Sequence, residues 1–384
     1  MLWLWKSYFQ SVKRTEGVRL SSYSMQDCRF MFTHSRKLRY LIAGGAGFVG
    51  TNLARRLLET GAMVDCVDNL STGRKANVAD LARYPNFNFI KLDIADTASC
   101  NRLLRRRYSH IYNLACPTGV PNIALLGEEM LMVSSVGTLN LLKVARRSKA
   151  SYLFASTAEV YGDPEVFPQP ESYVGKVDPV GPRSPYEEGK RFGEALTRFW
   201  GRKHNVDVRI VRIFNTYGPA MSPDDQRVIP QMLSRLIAGK PVPIYGDGAQ
   251  TRTFLHVDDL VDGLMTVMEN GANAEVYNIG GDTQISICEL FDLAKMATGL
   301  AGRAEFANHF IADHRGRCPD TTKVRELGWR PCVSLVDGIR QSHRDLVASI
   351  QARAMAASGR PAKRLAEPHH ASKSRAAEGF PALT

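Results

Sequence analysis

The turn Gly44–Gly50, GGAGFVG, limits the possible fold more than any other stretch. An apolar run, RYLIA, leads into it. An amphipathic pattern, FVGTNLARRLLETG, leaves it and closes on a glycine. Glycines at 44, 47 and 50 let a strand turn directly into a helix and let the backbone approach a ligand closely. The helix start offers unpaired N–H groups and a partial positive charge, which suit a pyrophosphate. Asp68 closes the next apolar run, 18 residues after Gly50. A carboxylate there accepts hydrogen bonds from a ribose diol and repels a 2′-phosphate, which favours NAD over NADP. The expected cofactor cradle is Gly44, Gly47, Phe48, Val49, Gly50, Asp68, Asn69, Thr72 and Gly73. Asp93 and Ile94 are expected near the adenine, with Leu114 at a strand end under the cofactor.

The pattern continues downstream. AMVDCVDN, FNFIKLD, HIYNLA, SYLFAST and DVRIVRIFN are further apolar runs. Helical patterns such as VGTLNLLKVARRS and KRFGEALTRFWGRK lie between them. Alternating apolar runs and helices imply an α/β fold, a Rossmann-like doubly wound parallel sheet. After NTYGP the rhythm breaks, and prolines 219, 223, 230, 241 and 243 punctuate shorter elements. Residues 38–219 are therefore expected to form the NAD-binding domain, and 220–350 mainly a smaller substrate-binding lobe. Residues 1–37 show no sustained period and are expected to be a flexible extension. From about Gln351 the chain turns Ala/Arg/Lys/Pro-rich, so 351–384 is expected to be a basic disordered tail.

The formal charge of +12 is concentrated in those ends. Residues 1–37 carry +5 and residues 351–384 carry +4, which leaves +3 for the middle. Solvated basic tails, rather than a nucleic-acid site, are expected. The seven cysteines are odd in number, irregularly spaced and contain no C-x-x-C. A disulfide framework and a zinc site are therefore not expected. No apolar run approaches the ~20 residues that span a bilayer. The N-terminus lacks the order of a secretory signal, so a cytoplasmic location is expected.

Tyr186 and Lys190, in SPYEEGK, are four residues apart and share a helix face. A tyrosine with an ordinary pKa of ~10 is a poor base at neutral pH. A nearby ammonium and an oxidised nicotinamide both favour its phenolate. Thr157, in STAEVYG, ends a neighbouring apolar run, where its hydroxyl can reach the same substrate oxygen. Together these groups can take an alcohol proton while a hydride leaves for NAD. Tyr186 and Lys190 also count among the cofactor contacts.

With these motifs the chain resembles the extended short-chain dehydrogenase/reductases that act on nucleotide sugars. Within that group it is similar to the UDP-glucuronate decarboxylases. The resemblance spans about residues 38–345. It is carried by EVYGDPEVFPQPESY, VGPRSPYEEGKR, RIFNTYGP, YGDGAQTRTF, VDDLVDGL and LGWRP, and by the extra residues around YVGKVDPVGPR. It implies that C4 of a UDP-sugar is oxidised, that CO2 leaves from the carboxylate β to the new ketone, and that C5 is protonated and C4 reduced again. It assigns acid/base work to Tyr186, tuning to Lys190, assistance to Thr157, C5/C6 chemistry to Glu159, and the carboxylate to Arg252. It also places Asn215 against the substrate, Arg227 and Arg317 at the diphosphate or uridine, and the chain in a homodimer.

Four positions depart from that pattern. Ala158 stands for a serine, Ser134 for a helix asparagine, Met132 for a lysine and Ala220 for an arginine. Each loses a hydrogen-bonding group or a charge, worth a few kcal/mol when such a group acts on a transition state. A 4,6-dehydratase needs a general acid at 158, which alanine cannot be. A 4-epimerase tolerates Ala158 but does not need Glu159 and usually has a shorter loop. A non-catalytic NAD or sugar-nucleotide binder would have little reason to keep Thr157, Tyr186 and Lys190 together.

Overall fold

The computed structural model describes residues 38–308 and 316–357. The extension at 1–37 and the tail from 358 onward lie outside the described residues.

Seven strands form one parallel sheet. They are β1 Arg39–Ala43, β2 Met63–Asp68, β3 Phe87–Lys91, β4 His110–Asn113, β5 Ser151–Thr157, β6 Val208–Ile213 and β7 Glu275–Ile279, in the order β7-β6-β5-β4-β1-β2-β3. The six apolar runs of the sequence are the first six strands. They read as continuous apolar stretches because helices cover both faces of the sheet. On one face, Leu53, Ala54, Leu57 and Leu58 of α1 (Phe48–Glu59) pack with Val64, Val261 and Leu264. On the other, Leu141, Leu142 and Val144 pack with Leu41, Ile111 and Tyr152. Truncating a fully buried leucine such as Leu53 to alanine costs about 2–5 kcal/mol.

Chain order reverses between β3 and β4, so β1 and β4 lie side by side, with Ala43 opposite Asn113. In open parallel sheets such a reversal opens a crevice at the carboxyl ends of the strands. The cofactor cleft described below lies there.

Beyond residue 219 the chain is not confined to a lobe. The helix Val257–Asn270 packs on the sheet, and Glu275–Ile279 enters it as β7, paired with β6 from Glu275↔Arg209 to Ile279↔Ile213. The rest of that region builds a separate core from Ile229, Leu233, Leu236, Leu290, Phe291 and Leu346. The final helix, Leu335–Ala357, runs past residue 350, where disorder was expected to begin. Its alanines favour helix, and Arg353 Nη1 donates to Asp224 Oδ2 at 2.6 Å, which ties that turn to the lobe.

One helix is interrupted. Between Gly127–Met132 and Thr138–Ser148 the backbone takes a π turn, Val133–Gly137. This turn buries Ser134 to 2% exposure beside Gly189, the neighbour of Lys190. Such bulges recur at functional sites.

Candidate active site

The cofactor end is shaped by backbone. Gly44 has φ +79°, and a Cβ there would lie 2.9 Å from the backbone of Leu114 and Ala115. A Cβ on Gly50 would lie 2.1 Å from the Gly44 carbonyl oxygen. Gly47 caps α1 without a side chain, which leaves the first N–H groups of the helix without a side-chain partner. This cradle fits a pyrophosphate: bare N–H groups, and no room for a side chain. The cleft is lined by Gly44, Gly47, Asp68, Asn69, Thr72, Gly73, Asp93, Ile94 and Leu114. Phe48, Val49 and Gly50 form the turn behind that wall.

Asp68 is fixed for a hydroxyl partner. Its carboxylate accepts from Ala46 N–H at 3.0 Å and Leu70 N–H at 2.8 Å. Burial pushes its carboxyl above the usual range, while those two hydrogen bonds pull it back. Asn69 Nδ2 donates to Asp93 Oδ2 at 2.9 Å and joins the two acidic ends of the adenosine side.

The chemical centre lies where β5 ends. Thr157 is its last residue, and its Oγ1 accepts from Glu159 N–H at 3.3 Å. Tyr186 lies in the first turn of the helix Ser184–His204, with Lys190 one turn on. Burial pushes the Tyr186 phenol above its usual value. The Cys116 thiol and Glu159 add to that, whereas a hydrogen bond with Thr157 and the Arg227 charge pull it down. Lys190 is 3% exposed, and its Nζ donates to the Ala155 carbonyl at 2.8 Å. Burial pulls its ammonium below the usual lysine value, with Cys116 and Glu194 opposing. Cys116, not singled out in the sequence, therefore sits beside both. Burial pushes its thiol up, so it is a neutral neighbour.

Beyond Thr157 the site is made of charge. Glu159 Oε2 accepts from Arg317 Nη2 at 2.8 Å and also from Arg183. Arg183 Nε reaches Glu187 Oε1 at 3.1 Å. Arg252 is buried at 9% exposure, and its Nη1 donates to the Thr251 carbonyl at 2.9 Å. Arg317 is buried too. Burial pulls its guanidinium down, Glu159 raises it, and Arg183 and Arg252 lower it further. Glu159, Arg183, Arg252 and Arg317 thus form one electrostatic cluster. Arg317 meets the Glu159 carboxylate here, which the sequence did not suggest.

Arg183 was missed although its spacing carried a signal. It lies three residues before Tyr186 and four before Glu187, which places it on the same side of that helix. Arg227 sits on the cofactor side: its guanidinium pairs with Asp225 at 2.7 Å and covers the Phe48 ring at 5.5 Å. The Asn215 carbonyl accepts from Leu255 N–H at 2.9 Å and joins the short strands Thr216–Tyr217 and Leu255–His256.

The four departures fall in different settings. Ala158 is 4% exposed, among Val160, Tyr161 and Phe214. Ser134 Oγ lies 4.0 Å from Cys116 Sγ. Met132 lines the cofactor cleft and is half exposed. Ala220 holds φ +71°, unusual for a residue with a Cβ, and its N–H donates to Asp345 Oδ2 at 3.0 Å.

A glycine-turn cradle with a backbone-held aspartate, joined through Cys116 to a Thr–Tyr–Lys set, fits a dinucleotide-dependent enzyme acting on an alcohol carbon. The chain belongs to the NAD dependent epimerase/dehydratase family, whose model matches residues 40–280. UDP-glucuronic acid decarboxylase 2 of Arabidopsis thaliana is 43% identical over 303 residues, covering 79% of this chain and 66% of that protein, just under two thirds. UDP-glucuronic acid decarboxylase 1 of Xenopus tropicalis is 40% identical over 315 residues, covering 82% of this chain and 73% of that protein. Among solved structures, the UDP-glucose 4-epimerase of Thermotoga maritima, determined with UDP-glucose, superposes with a TM-score of 0.75 at 30% identity, covering 82% of this chain and all of that one.

Proposed function

We propose that this enzyme decarboxylates UDP-glucuronate to UDP-xylose through a 4-keto sugar. The carrying observation is the charged cluster next to the redox residues. Glu159, two residues beyond Thr157, lies 2.8 Å from Arg317, and the buried Arg252 acts electrostatically on Arg317. Arginines so placed suit a substrate that carries a carboxylate, and a carboxylate beside them can handle the water and proton that chemistry beyond C4 requires. The two decarboxylase relatives support the same reading.

In this scheme NAD, which the Gly44–Gly50 turn and Asp68 would hold, would supply the reversible hydride acceptance that oxidation at C4 needs. Tyr186 takes the proton from the C4 hydroxyl, with Thr157 on the same oxygen. Lys190, hydrogen-bonded to the Ala155 carbonyl, fixes the helix turn that carries Tyr186 against β5. Arg252 binds the C6 carboxylate and releases it once the 4-ketone can hold the electrons of the C5–C6 bond. Glu159 orients the water that protonates C5. Asn215, Arg227 and Arg317 contact the remaining substrate. A guanidinium suits oxyanions because it donates two parallel hydrogen bonds.

A 4-epimerase is the second reading. Ala158 favours it, as does the likeness to the Thermotoga epimerase. Incubation with UDP-glucuronate and NAD, followed by mass spectrometry, separates the two. The decarboxylase gives a UDP-pentose and CO2; an unchanged hexuronate or its 4-epimer overturns the proposal.

We further propose a cytoplasmic homodimer. Phe192 and Phe199 are each 53% exposed and lie seven residues apart on one side of the helix Ser184–His204, an apolar stripe that suits a second copy. The six cysteines among the described residues are all free, and no described helix is long and apolar enough to cross a membrane. Light scattering that returned a monomer would remove the dimer.

A further inference from the structure

Arg183 stands between the two halves of the site. It precedes the helix that carries Tyr186 and reaches across to the turn Ala158–Tyr161 that carries Glu159. Its side chain is 16% exposed, that of Glu159 20% and that of Glu187 4%. Burial opposes its charge, yet Glu159 and Glu187 outweigh burial and hold the guanidinium above its usual value. One cation is thus shared by two carboxylates on different elements, a geometry that a planar guanidinium with fixed donors suits better than an ammonium.

Glu159 would otherwise be poorly placed for its work. Its turn follows β5 directly, and its backbone N–H is held by Thr157. The side chain still has rotatable bonds between that anchor and the carboxylate. Arg317, the other cation on Oε2, comes from a stretch far along the chain. Arg183 is the link that sets the Glu159 carboxylate relative to Tyr186 itself, because Arg183 and Tyr186 share one helix start.

We propose that Arg183 is a positioning residue for the second half of the reaction, holding Glu159 at the distance from Tyr186 at which C5 is protonated. This rests on the decarboxylase reading above. Loss of CO2 breaks the C5–C6 bond and leaves its electron pair in the enolate of the 4-ketone. C5 then takes a proton from the water held by Glu159. C4 takes back a hydride, and its oxygen takes the proton held by Tyr186. The sum is one proton consumed from solvent and one CO2 released. Removal of Arg183 leaves the first oxidation in place, because Thr157 and Tyr186 keep their mutual contact. Protonation at C5 slows, and the ketone escapes before it is reduced.

The test uses the full chain with UDP-glucuronate and NAD. Three quantities are read: reduced cofactor formed in a single turnover, the ratio of UDP-4-ketopentose to UDP-xylose, and deuterium incorporated at C5 in heavy water. In Arg183→Gln the ketopentose share should rise and turnover fall by roughly 10-fold to 100-fold, the scale of a misplaced catalytic group. Cofactor reduction in the first turnover should stay near wild type. Arg183→Lys should restore part of the turnover. A wild-type product ratio in Arg183→Gln overturns the proposal. So does a parallel loss of first-turnover reduction, which would mark a merely structural role. If the wild-type protein releases no CO2, the functional reading fails with it; if it does and only the ratio is unmoved, the role of Arg183 alone fails.

Discussion

The two ends of the active site are built from different material. The cofactor end is shaped by backbone: Gly44 and Gly50 admit no side chain, and main-chain N–H groups hold Asp68. The charged end is shaped by side chains from four separate stretches, namely Glu159, Arg183, Arg252 and Arg317. A backbone cradle tolerates little change, because a Cβ at Gly44 or Gly50 would meet backbone atoms. A side-chain cluster can lose one member and still be recognisable. The four departures fall on both sides of this division, since Met132 lines the cofactor cleft. None touches the glycine turn, and Ala158 and Ser134 lie at the reacting end.

The largest expected effect tests whether the reacting end depends on the group assigned to it. Tyr186→Phe should lower turnover by about 10²-fold to 10⁴-fold, the usual contribution of a general acid/base. Bound NAD, assayed after release from the purified protein, should remain. Wild-type turnover in that variant would remove Tyr186 from the chemistry. The same group sets a pH dependence. Its phenol lies above its usual value through burial, so the phenolate is scarce at neutral pH and grows as pH rises. The kcat/KM should therefore climb by about tenfold per pH unit on the alkaline side of neutrality. A flat profile there would mean that another group takes the proton.

A smaller effect tests the cradle. Gly50→Ala places a carbon where the Gly44 carbonyl oxygen stands. Overpacking of this kind costs about 1–3 kcal/mol, so NAD should bind roughly 10-fold to 100-fold more weakly, as measured by calorimetry. Unchanged affinity would show that the turn is softer than its geometry.

The smallest effect lies at Ala158. Serine there adds a hydroxyl among Val160, Tyr161 and Phe214. It should cost about 1 kcal/mol of stability if the hydroxyl stays unpaired. Turnover on UDP-glucuronate should change by no more than about tenfold, read in a steady-state assay of pentose formation. A larger gain would mean that Ala158 limits this enzyme, and that the charged end is less complete than the cradle.

Legibility in the sequence followed the same division. Apolar runs located six strands, and the glycine turn and Asp68 at the ends of the first two located the cofactor cleft, because a parallel sheet buried on both faces leaves a strong local pattern. The seventh strand, EVYNI, is as long as RYLIA but lies beyond the proline-punctuated stretch, too far from that rhythm to stand out. Thr157, Tyr186 and Lys190 were found because helix periodicity and a strand end are local. The contact of Glu159 with Arg317 joins residues 158 positions apart, and no local period encodes such a pairing. Arg183 lies within a helix-face pattern, but its partner Glu159 comes from another element 24 residues earlier, which that pattern does not encode.

The return of Glu275–Ile279 to the main sheet has a practical consequence for anyone cutting the gene. A fragment ending at residue 219 would strip β6 of its neighbour and leave VRIVRI as a bare margin of unpaired N–H and C=O groups. Such a margin recruits other copies into aggregates. The two lobes therefore cannot be expressed, swapped or inherited separately: their separation in space is not a separation in manufacture.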